Sequence, residues 1–312
     1  MALRIFTEPQ QGASYEQLLA VARTAEQCGF DAFFRSDHFL KMGNVSGLPA
    51  VTDAWTTLAG LARDTTTIRL GTLVTPVTFR AIGTFAALAA QVDHMSDGRI
   101  EIGLGAGWYD AEHDAFGLPF PPTTTRYDLL EDQLAILHGA WTAAPGATFE
   151  LAGHTTSVRI AADTVRPHQQ PHPPIILGGQ GGPRSSRLAV TYAAEYNVAF
   201  TSAAATKEIH DKVRTGCEQA GRDPSTMVFS SAQVLCVGRT DDELASRAAA
   251  IGREVAELRE NGLAGSPEEV LDKLVTLAEH GAERFYLQVL DLSDLDHLRL
   301  VADEVLPDAP GR

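Results

Sequence analysis

Cysteines and long apolar runs are scarce in this chain. Three of its 312 residues are cysteines, Cys28, Cys217 and Cys236, and this odd, scattered set argues against a disulfide framework and for a reducing compartment. No stretch approaches the roughly 18 consecutive apolar residues that a membrane span needs. The opening residues MALRIF lack the charged and then apolar pattern of a signal peptide. We therefore expect a soluble, cytoplasmic protein.

Basic residues are also few. Lys and Arg number 25 against 40 Asp and Glu, which gives a formal net charge of −15. Because this field repels nucleic acid and anionic membranes, the expected partner is a small molecule. The sequence lacks the G-x-S-x-G elbow of many hydrolases. Glu112 and His113 have no further ligand at the spacing of a metal site, so no metal is predicted.

Short apolar runs alternate with longer helical patterns along the whole chain. This alternation predicts a parallel sheet, and eight such units favour a closed (β/α)₈ TIM barrel over an open doubly wound sheet. Capping boxes at Ser14–Gln17, Thr240–Glu243 and Ser266–Glu269 indicate helix starts. The predicted strands are Leu3–Thr7, Ala32–Ser36, Ile68–Thr75, Ile100–Leu104, Pro174–Leu177, Tyr196–Phe200, Met227–Val237 and Arg284–Leu290.

One segment breaks the alternation. At about residues 142–173 the sequence is rich in proline and glycine and shows no clear helix. We interpret the chain as one domain over residues 1–312, with this irregular insertion lying over one end of the barrel. The stretch Lys41–Thr52 is loop-like too, and it follows the second strand at the carboxyl-terminal face, where barrel enzymes build their sites.

An Asp-His pair, Asp37 and His38, follows the second predicted strand directly. Histidine titrates near physiological pH, so it can give or take a proton during catalysis. A carboxylate beside it offers a hydrogen-bond acceptor. The pair is therefore the first candidate for catalysis, although a capped strand end would have the same sequence.

Two glycine-rich turns follow later strands. Gly103–Tyr109 comes after the fourth strand, but Trp108 occupies the third glycine position of the G-x-G-x-x-G dinucleotide fingerprint, which disfavours a Rossmann fold. Gly178–Arg184 comes after the fifth strand and opens a helix. Because a helix N-terminus favours negative charge and arginine matches phosphate geometry, this second turn is a candidate phosphate site.

These segments together resemble the luciferase-like monooxygenase superfamily, and in particular its coenzyme F420-dependent oxidoreductase branch. The resemblance extends from Leu3 to about Pro307, and no single segment would be specific alone. It rests on Arg35–Phe39, Gly71–Arg80, Asp97–Tyr109, Pro174–Gly179, Gly265–Glu269 and Phe285–Gln288.

The resemblance implies a barrel with a deazaflavin ring at its carboxyl end and a homodimeric assembly. It implies that Asp37 and His38 contact the ring, and that a non-prolyl cis peptide at Leu73–Val74 backs it. The residues implied in cofactor binding are Asp37, His38, Thr72, Leu73, Val74, Gly105, Ala106, Gly107, Trp108, Gly178, Gly179, Gly181 and Arg184.

The chain departs from the sugar-phosphate dehydrogenases of that branch. Met42 and Trp108 stand where those proteins carry a Trp and a Glu, and Gln11 replaces a Glu. A pocket of Gln11, Met42, Trp108, Tyr109 and Glu112 suits a less polar substrate. We therefore expect hydride transfer from reduced F420 to a C=C, C=N or C=O bond. The alternatives are an FMN-dependent monooxygenase on the same fold and a non-catalytic cofactor-binding barrel.

Overall fold

The computed structural model of the chain describes residues 2–310. Its strands, in chain order, are β1 (Ala2–Thr7), β2 (Ala32–Arg35), β3 (Arg69–Pro76), β4 (Ile100–Gly105), β5 (Thr148–Ala152), β6 (Ser157–Ala161), β7 (Ile175–Gly178), β8 (Glu195–Ala199), β9 (Val228–Val237), β10 (Leu263–Gly265) and β11 (Arg284–Val289).

Eight of these strands close into a parallel barrel. Around the barrel the order is β1, β2, β3, β4, β7, β8, β9 and β11, and β9 pairs with β8 on one side and with β11 on the other. The register sets Arg4 of β1 beside Tyr286 of β11 and beside Ala32 of β2. All eight predicted strands and the TIM barrel are confirmed. The three-residue strand β10, which pairs in parallel with the last residues of β9, was not predicted.

Helices connect the strands on the outside of the barrel. Their bounds are α1 (Tyr15–Gln27), α2 (Ala54–Asp64), α3 (Ile82–Met95), α4 (Asp110–Ala115), α5 (Thr123–Thr142), α6 (Pro183–Tyr192), α7 (Ala203–Gln219), α8 (Asp241–Ala250), α9 (Val255–Asn261), α10 (Pro267–Glu279) and α11 (Leu295–Glu304). Complete capping boxes begin α1 and α10, as predicted. At α8 the Thr240 side chain accepts from the N–H of Glu243. The Glu243 carboxylate accepts the backbone N–H of Arg239, so the predicted capping box is only half formed. Within residues 2–310 no helix is both long and apolar enough to cross a membrane.

Alternation along the strands divides the core into two layers. Outward residues such as Ile5 and Phe33 pack against the helices in the larger cluster. Inward residues fill the barrel and form what we call the inner cluster, made of Phe6, Ala32, Phe34, Ile176, Ala232 and Tyr286. Since successive side chains of a strand point to opposite faces, the same alternation decides which residues can reach the barrel mouth.

An ion network fills the barrel below the inner cluster, toward its amino end. The buried Arg4 guanidinium donates to both oxygens of Glu101, at 2.5 and 3.0 Å, and to the Tyr286 hydroxyl at 3.1 Å. Burial alone would raise the pKa of Glu101, but Arg4, Arg69 and Arg284 outweigh burial and lower it to about 2. This network closes the amino end of the barrel, so a ligand reaches the interior from the carboxyl end.

The segment at residues 142–173 differs from the expectation. It contains an antiparallel hairpin of β5 and β6, in which Phe149 lies opposite Ile160. Asp132 of α5 accepts hydrogen bonds from the N–H groups of His154, Thr155 and Thr156 at the hairpin turn. The segment therefore contains a hairpin that packs along α5, which the sequence pattern did not predict. The interpretation of the segment as an insertion over one end of the barrel stays a prediction. Long connections at the carboxyl end of the barrel include residues 36–53 and 106–122.

Candidate active site

His38 lies at the carboxyl end of the barrel and is held by a buried carboxylate. Its Nδ1 is 2.9 Å from Oε1 of Glu112 on α4. The other oxygen of Glu112 accepts the N–H groups of Phe39, at 2.7 Å, and Leu40, at 3.3 Å. Because an ionised carboxylate only accepts hydrogen bonds, Nδ1 carries the proton and Nε2 is the free nitrogen.

The surroundings of the His38 ring leave Nε2 available. Within residues 2–310 no hydrogen bond joins Nε2 to another side chain or to the backbone. The ring packs edge-on against Trp108, with centroids 5.8 Å apart, and against Tyr109, at 6.1 Å. The side chain keeps 12% of its surface exposed. The group that His38 offers to a ligand is therefore Nε2.

Asp37 faces away from the barrel mouth. Its carboxylate accepts from the Thr75 hydroxyl at 2.8 Å and from Nη1 of Arg80 at 2.5 Å. Arg80 also pairs with Asp53, the N-cap of α2. Asp37 is 1% exposed and both of its oxygens are engaged. Both Asp37 oxygens thus have protein partners, and a contact between Asp37 and a ligand stays a prediction.

Strand β3 is irregular beside the mouth. The Leu73–Val74 peptide bond is cis, as the resemblance implied, and the pairing with β4 shifts register between Thr72 and Thr75. Leu73 is half-buried and packs on the inner cluster, where it forms part of the apolar floor of the mouth. Thr72 is fully buried, and its hydroxyl donates to the Gly103 carbonyl at 3.1 Å. The Thr72 side chain is therefore already engaged within the barrel, and its role in cofactor binding stays a prediction.

The turn after β4 lies next to this irregularity. A Cβ on Gly105 would lie 2.8 Å from Cγ2 of Val74, so only glycine fits without a shift. Gly107 has φ +79°, a left-handed conformation that favours glycine. Among the described residues, the N–H groups of residues 106–109 find no acceptor. The turn therefore presents four free backbone donors at the barrel mouth.

The turn after β7 offers fewer free donors. Gly179 donates its N–H to the Asn197 carbonyl at 3.3 Å, and Gly181 donates to the Tyr196 hydroxyl at 3.1 Å. In the part of the chain that is described, the N–H groups of Gln180 and Gly182 have no acceptor. Gly178 is exposed at the end of its strand. The two glycine-rich turns are neighbours because β4 and β7 pair directly.

A cavity of about 760 Å³ opens on another side of the mouth. Gln11 and Met42, both predicted for a substrate pocket, line it together with Gln288, Leu290 and Asp291. The Gln11 side chain accepts the N–H of Met42 at 3.0 Å, which joins the first and second loops. Glu112 was predicted for the same pocket, but it is completely buried beneath His38 and does not line it.

The cavity also contains Glu8, which the sequence reasoning missed. Glu8 is the first residue after β1, a position from which side chains reach the carboxyl face, and this was the signal available in the sequence. Burial raises the pKa of the Glu8 carboxyl, and the nearby His38 acts in the opposite direction. The carboxyl group thus lies within electrostatic range of His38.

The family of the chain follows from a match over most of its length. The model of the family described as luciferase-like monooxygenase matches residues 1–259. The chain belongs to the luciferase-like monooxygenase family.

Relatives within this family differ in the cofactor that their names carry. An F420-dependent hydroxymycolic acid dehydrogenase from Mycobacterium tuberculosis is 30% identical over 251 residues, which cover 77% of this chain and 64% of the relative. The chain therefore spans less than two thirds of that relative's length. An F420-dependent secondary alcohol dehydrogenase in complex with an F420-acetone adduct superposes with TM-score 0.82 at 20% identity, covering 99% of this chain and 98% of the other.

Another structure of the same fold contains FMN. The oxygenating constituent of 3,6-diketocamphane monooxygenase from Pseudomonas putida, in complex with FMN, superposes with TM-score 0.76 at 19% identity, covering 98% of this chain and 99% of the other. At these identities the two structures show a shared fold alone.

Arg184 does not face the glycine-rich turn in this member of the luciferase-like family. Its guanidinium contacts Asp128 at 2.5 Å and Glu131 at 3.2 Å, and it donates to the Thr124 carbonyl, all on α5. The two carboxylates neutralise the positive charge of Arg184 and hold its side chain against α5. A phosphate contact by Arg184 therefore stays a prediction, and the N–H groups of the two turns without acceptors are further donors for an anion.

Proposed function

We propose that the chain is a coenzyme F420-dependent oxidoreductase that transfers a hydride between reduced F420 and a small organic substrate. Within that class we propose a reductase of C=C, C=N or C=O bonds. The observation that carries the proposal is a histidine whose Nδ1 is fixed by buried Glu112 and whose Nε2 is free at the barrel mouth. Relatives named as F420-dependent support the choice of cofactor.

The residues at the mouth fit such a cofactor. Leu73 and the inner cluster provide an apolar floor for a flat ring. The free N–H groups of residues 106–109, with those of Gln180 and Gly182, suit an anionic tail in a chain whose net charge is −15. We therefore propose that Leu73 and Val74 support the ring, and that the turns after β4 and β7 hold the tail.

F420 bound at this place would supply a hydride from a ring carbon, and the protein would supply orientation and proton transfer. His38, once solvent has protonated Nε2, would donate that proton to the substrate atom that gains negative charge as the bond is reduced. Glu112 stabilises the imidazolium that precedes this transfer, and it keeps the ring from rotating. Asp37, held by Arg80 and Thr75, fixes the loop without touching substrate.

An FMN-dependent monooxygenase is the second candidate, because a protein of the same fold is known in complex with FMN. The same floor and turns would accept an FMN ring and phosphate. The two candidates differ in the cofactor that the mouth prefers.

Substitution of His38 tests the proposal. In His38→Ala the affinity for F420 should stay within about tenfold, equivalent to about 1.4 kcal/mol, because the floor and the turns remain. Turnover should fall by about 10²–10⁴, the range for loss of a general acid. The measurement is oxidation of reduced F420 against a panel of small ketones, enones and imines.

The half-buried His280, which follows the last residue of α10, provides the control variant His280→Ala. Equal turnover of His38→Ala and wild type would remove His38 from the mechanism. If the wild-type protein bound F420 tightly but oxidised it with no member of the panel, a non-catalytic binding barrel would be favoured instead.

A further inference from the structure

The cavity lined by Glu8, whose carboxyl group lies within electrostatic range of His38, has an unusual balance of charge for a substrate site. Its charged lining consists of two carboxylates, Glu8 and Asp291, and one guanidinium, Arg253. The rest of the lining is apolar or uncharged and polar, and its polar residues are Gln11, Gln17, Asn44, Gln288 and Ser293. An unpaired Arg253 guanidinium would attract an anion into the cavity.

Arg253 is already paired within its own segment. Its Nε donates to one oxygen of Glu257 at 2.9 Å and its Nη2 to the other at 2.5 Å, a bidentate contact. Arginine held in this way has its best donors occupied. Lys41, on the rim, turns its ammonium to the Val45 carbonyl at 2.5 Å. Among the described residues, the cavity therefore has no free cation.

His38 lies within electrostatic range of Glu8, but neither carboxylate forms an ion pair with a described lysine or arginine. Asp291 accepts from the N–H and the hydroxyl of Ser293 through one oxygen, Oδ1. Its other oxygen has no hydrogen-bond partner among residues 2–310. No salt bridge joins Glu8 or Asp291 to a described basic residue. The two carboxylates would repel an anion in the cavity, and they would attract a cation and accept its hydrogen bonds.

We propose that this cavity selects substrates without an anionic group, and that it prefers cationic ones to uncharged ones. This inference rests on the proposed function. It assigns the substrate class as small carbonyl compounds and imines, including protonated imines, and it excludes phosphorylated and carboxylated compounds. Like-charge juxtaposition is a recognised source of specificity against the wrong partner, and Gln11 and Gln288 are suited to a carbonyl or hydroxyl group.

Three probes of one size test the charge preference. Benzylamine, benzyl alcohol and benzoate share a ring and differ in charge at neutral pH. Each is titrated into the F420-loaded protein and into the cofactor-free protein at low salt, with binding followed by ligand-observed NMR. Benzylamine should bind tightest, and benzoate should be weaker than benzylamine by about tenfold or more, equivalent to about 1.4 kcal/mol. The difference should shrink at high salt.

Two charge-changing variants and one control localise the effect. Asp291→Asn removes one carboxylate, and Glu257→Gln frees Arg253, so both should raise benzoate affinity relative to benzylamine severalfold. Glu208→Gln removes an exposed carboxylate on α7, away from the cavity, and should leave the ratio unchanged.

The inference is overturned if benzoate binds as tightly as benzylamine, if both cavity variants leave the ratio unchanged, or if none of the probes binds. Failure of the proposed function would give a different result. In that case F420 itself would not bind, while the charge preference in the cofactor-free protein could still be measured.

Discussion

At the scale of single residues, the proposed chemistry depends on which nitrogen of His38 is free. Glu112 decides this, because its carboxylate faces Nδ1 and is itself fixed by the N–H groups of Phe39 and Leu40. A fixed imidazole retains one direction for proton transfer, and it does not need to reorganise during the reaction. Glu112 is therefore a positioning residue, although the sequence had placed it in the substrate pocket.

Glu112→Gln should separate these two roles. The amide has the size of the carboxylate but cannot stabilise an imidazolium, so kcat should fall by roughly tenfold to 100-fold, less than the loss expected on removing the acid itself. KM for the substrate and the dissociation constant of F420 should stay unchanged. Steady-state kinetics with a reactive substrate from the panel is the measurement. A raised KM with unchanged kcat would return Glu112 to the substrate pocket.

Single residues were only partly predictable from the sequence. The position of His38 at the barrel mouth was predictable, because a side chain directly after a barrel strand lies at the carboxyl-terminal face. The partners of Arg184 and Thr72 were not, because they lie far along the chain or across the sheet: Asp128 on α5 for the guanidinium, and the Gly103 carbonyl for the hydroxyl. A local pattern does not reveal which long-range partner neutralises a polar group.

At the scale of elements, the contact between β3 and β4 shapes the floor of the mouth. The strands approach so closely that a Cβ on Gly103 would lie 2.0 Å from the Thr72 carbonyl oxygen. Backbone on both sides prevents a simple side-chain adjustment. The irregular pairing between Thr72 and Thr75, with Leu73 between them, therefore depends on glycine at this position of β4.

Gly103→Ala should lower the free energy of unfolding by about 1–3 kcal/mol, as expected for overpacking in a tight core, and should weaken F420 binding because Leu73 and Val74 move. Gly83→Ala is the matched control. A Cβ at Gly83 would meet nothing within 4 Å, so this substitution in α3 should be neutral or stabilising by up to about 1 kcal/mol. Urea unfolding of both variants is the measurement, and equal stabilities would contradict the proposed packing.

Elements were predicted well where burial produced a strong pattern. The barrel strands were predicted because strands covered on both faces, such as Ile175–Gly178, are nearly continuous apolar runs. The hairpin of β5 and β6 was missed because exposed residues such as Glu150 and Arg159 alternate with half-buried ones, and proline and glycine surround it. Its position along α5 depends on Asp132, which the hairpin sequence does not contain.

At the scale of the whole molecule, the proposed cofactor turns and the proposed substrate cavity lie on opposite sides of the carboxyl end of the barrel. The turns after β4 and β7 lie opposite the junction of β11 and β1 in the order of strands, and that junction borders the cavity of Glu8 and Asp291. A net charge of −15 leaves an anionic cofactor dependent on the free N–H groups of those turns. The alternation of strands and helices predicted the closed barrel, but the sequence alone did not show which loops share a side of it.

A competitive titration of the purified protein with F420 and with FMN, followed by the fluorescence of each cofactor, tests most directly whether the mouth is built for a deazaflavin. We expect F420 to bind at least about tenfold more tightly, equivalent to about 1.4 kcal/mol, and to displace FMN. Tight binding of FMN that F420 does not displace would contradict the proposal and would favour the monooxygenase.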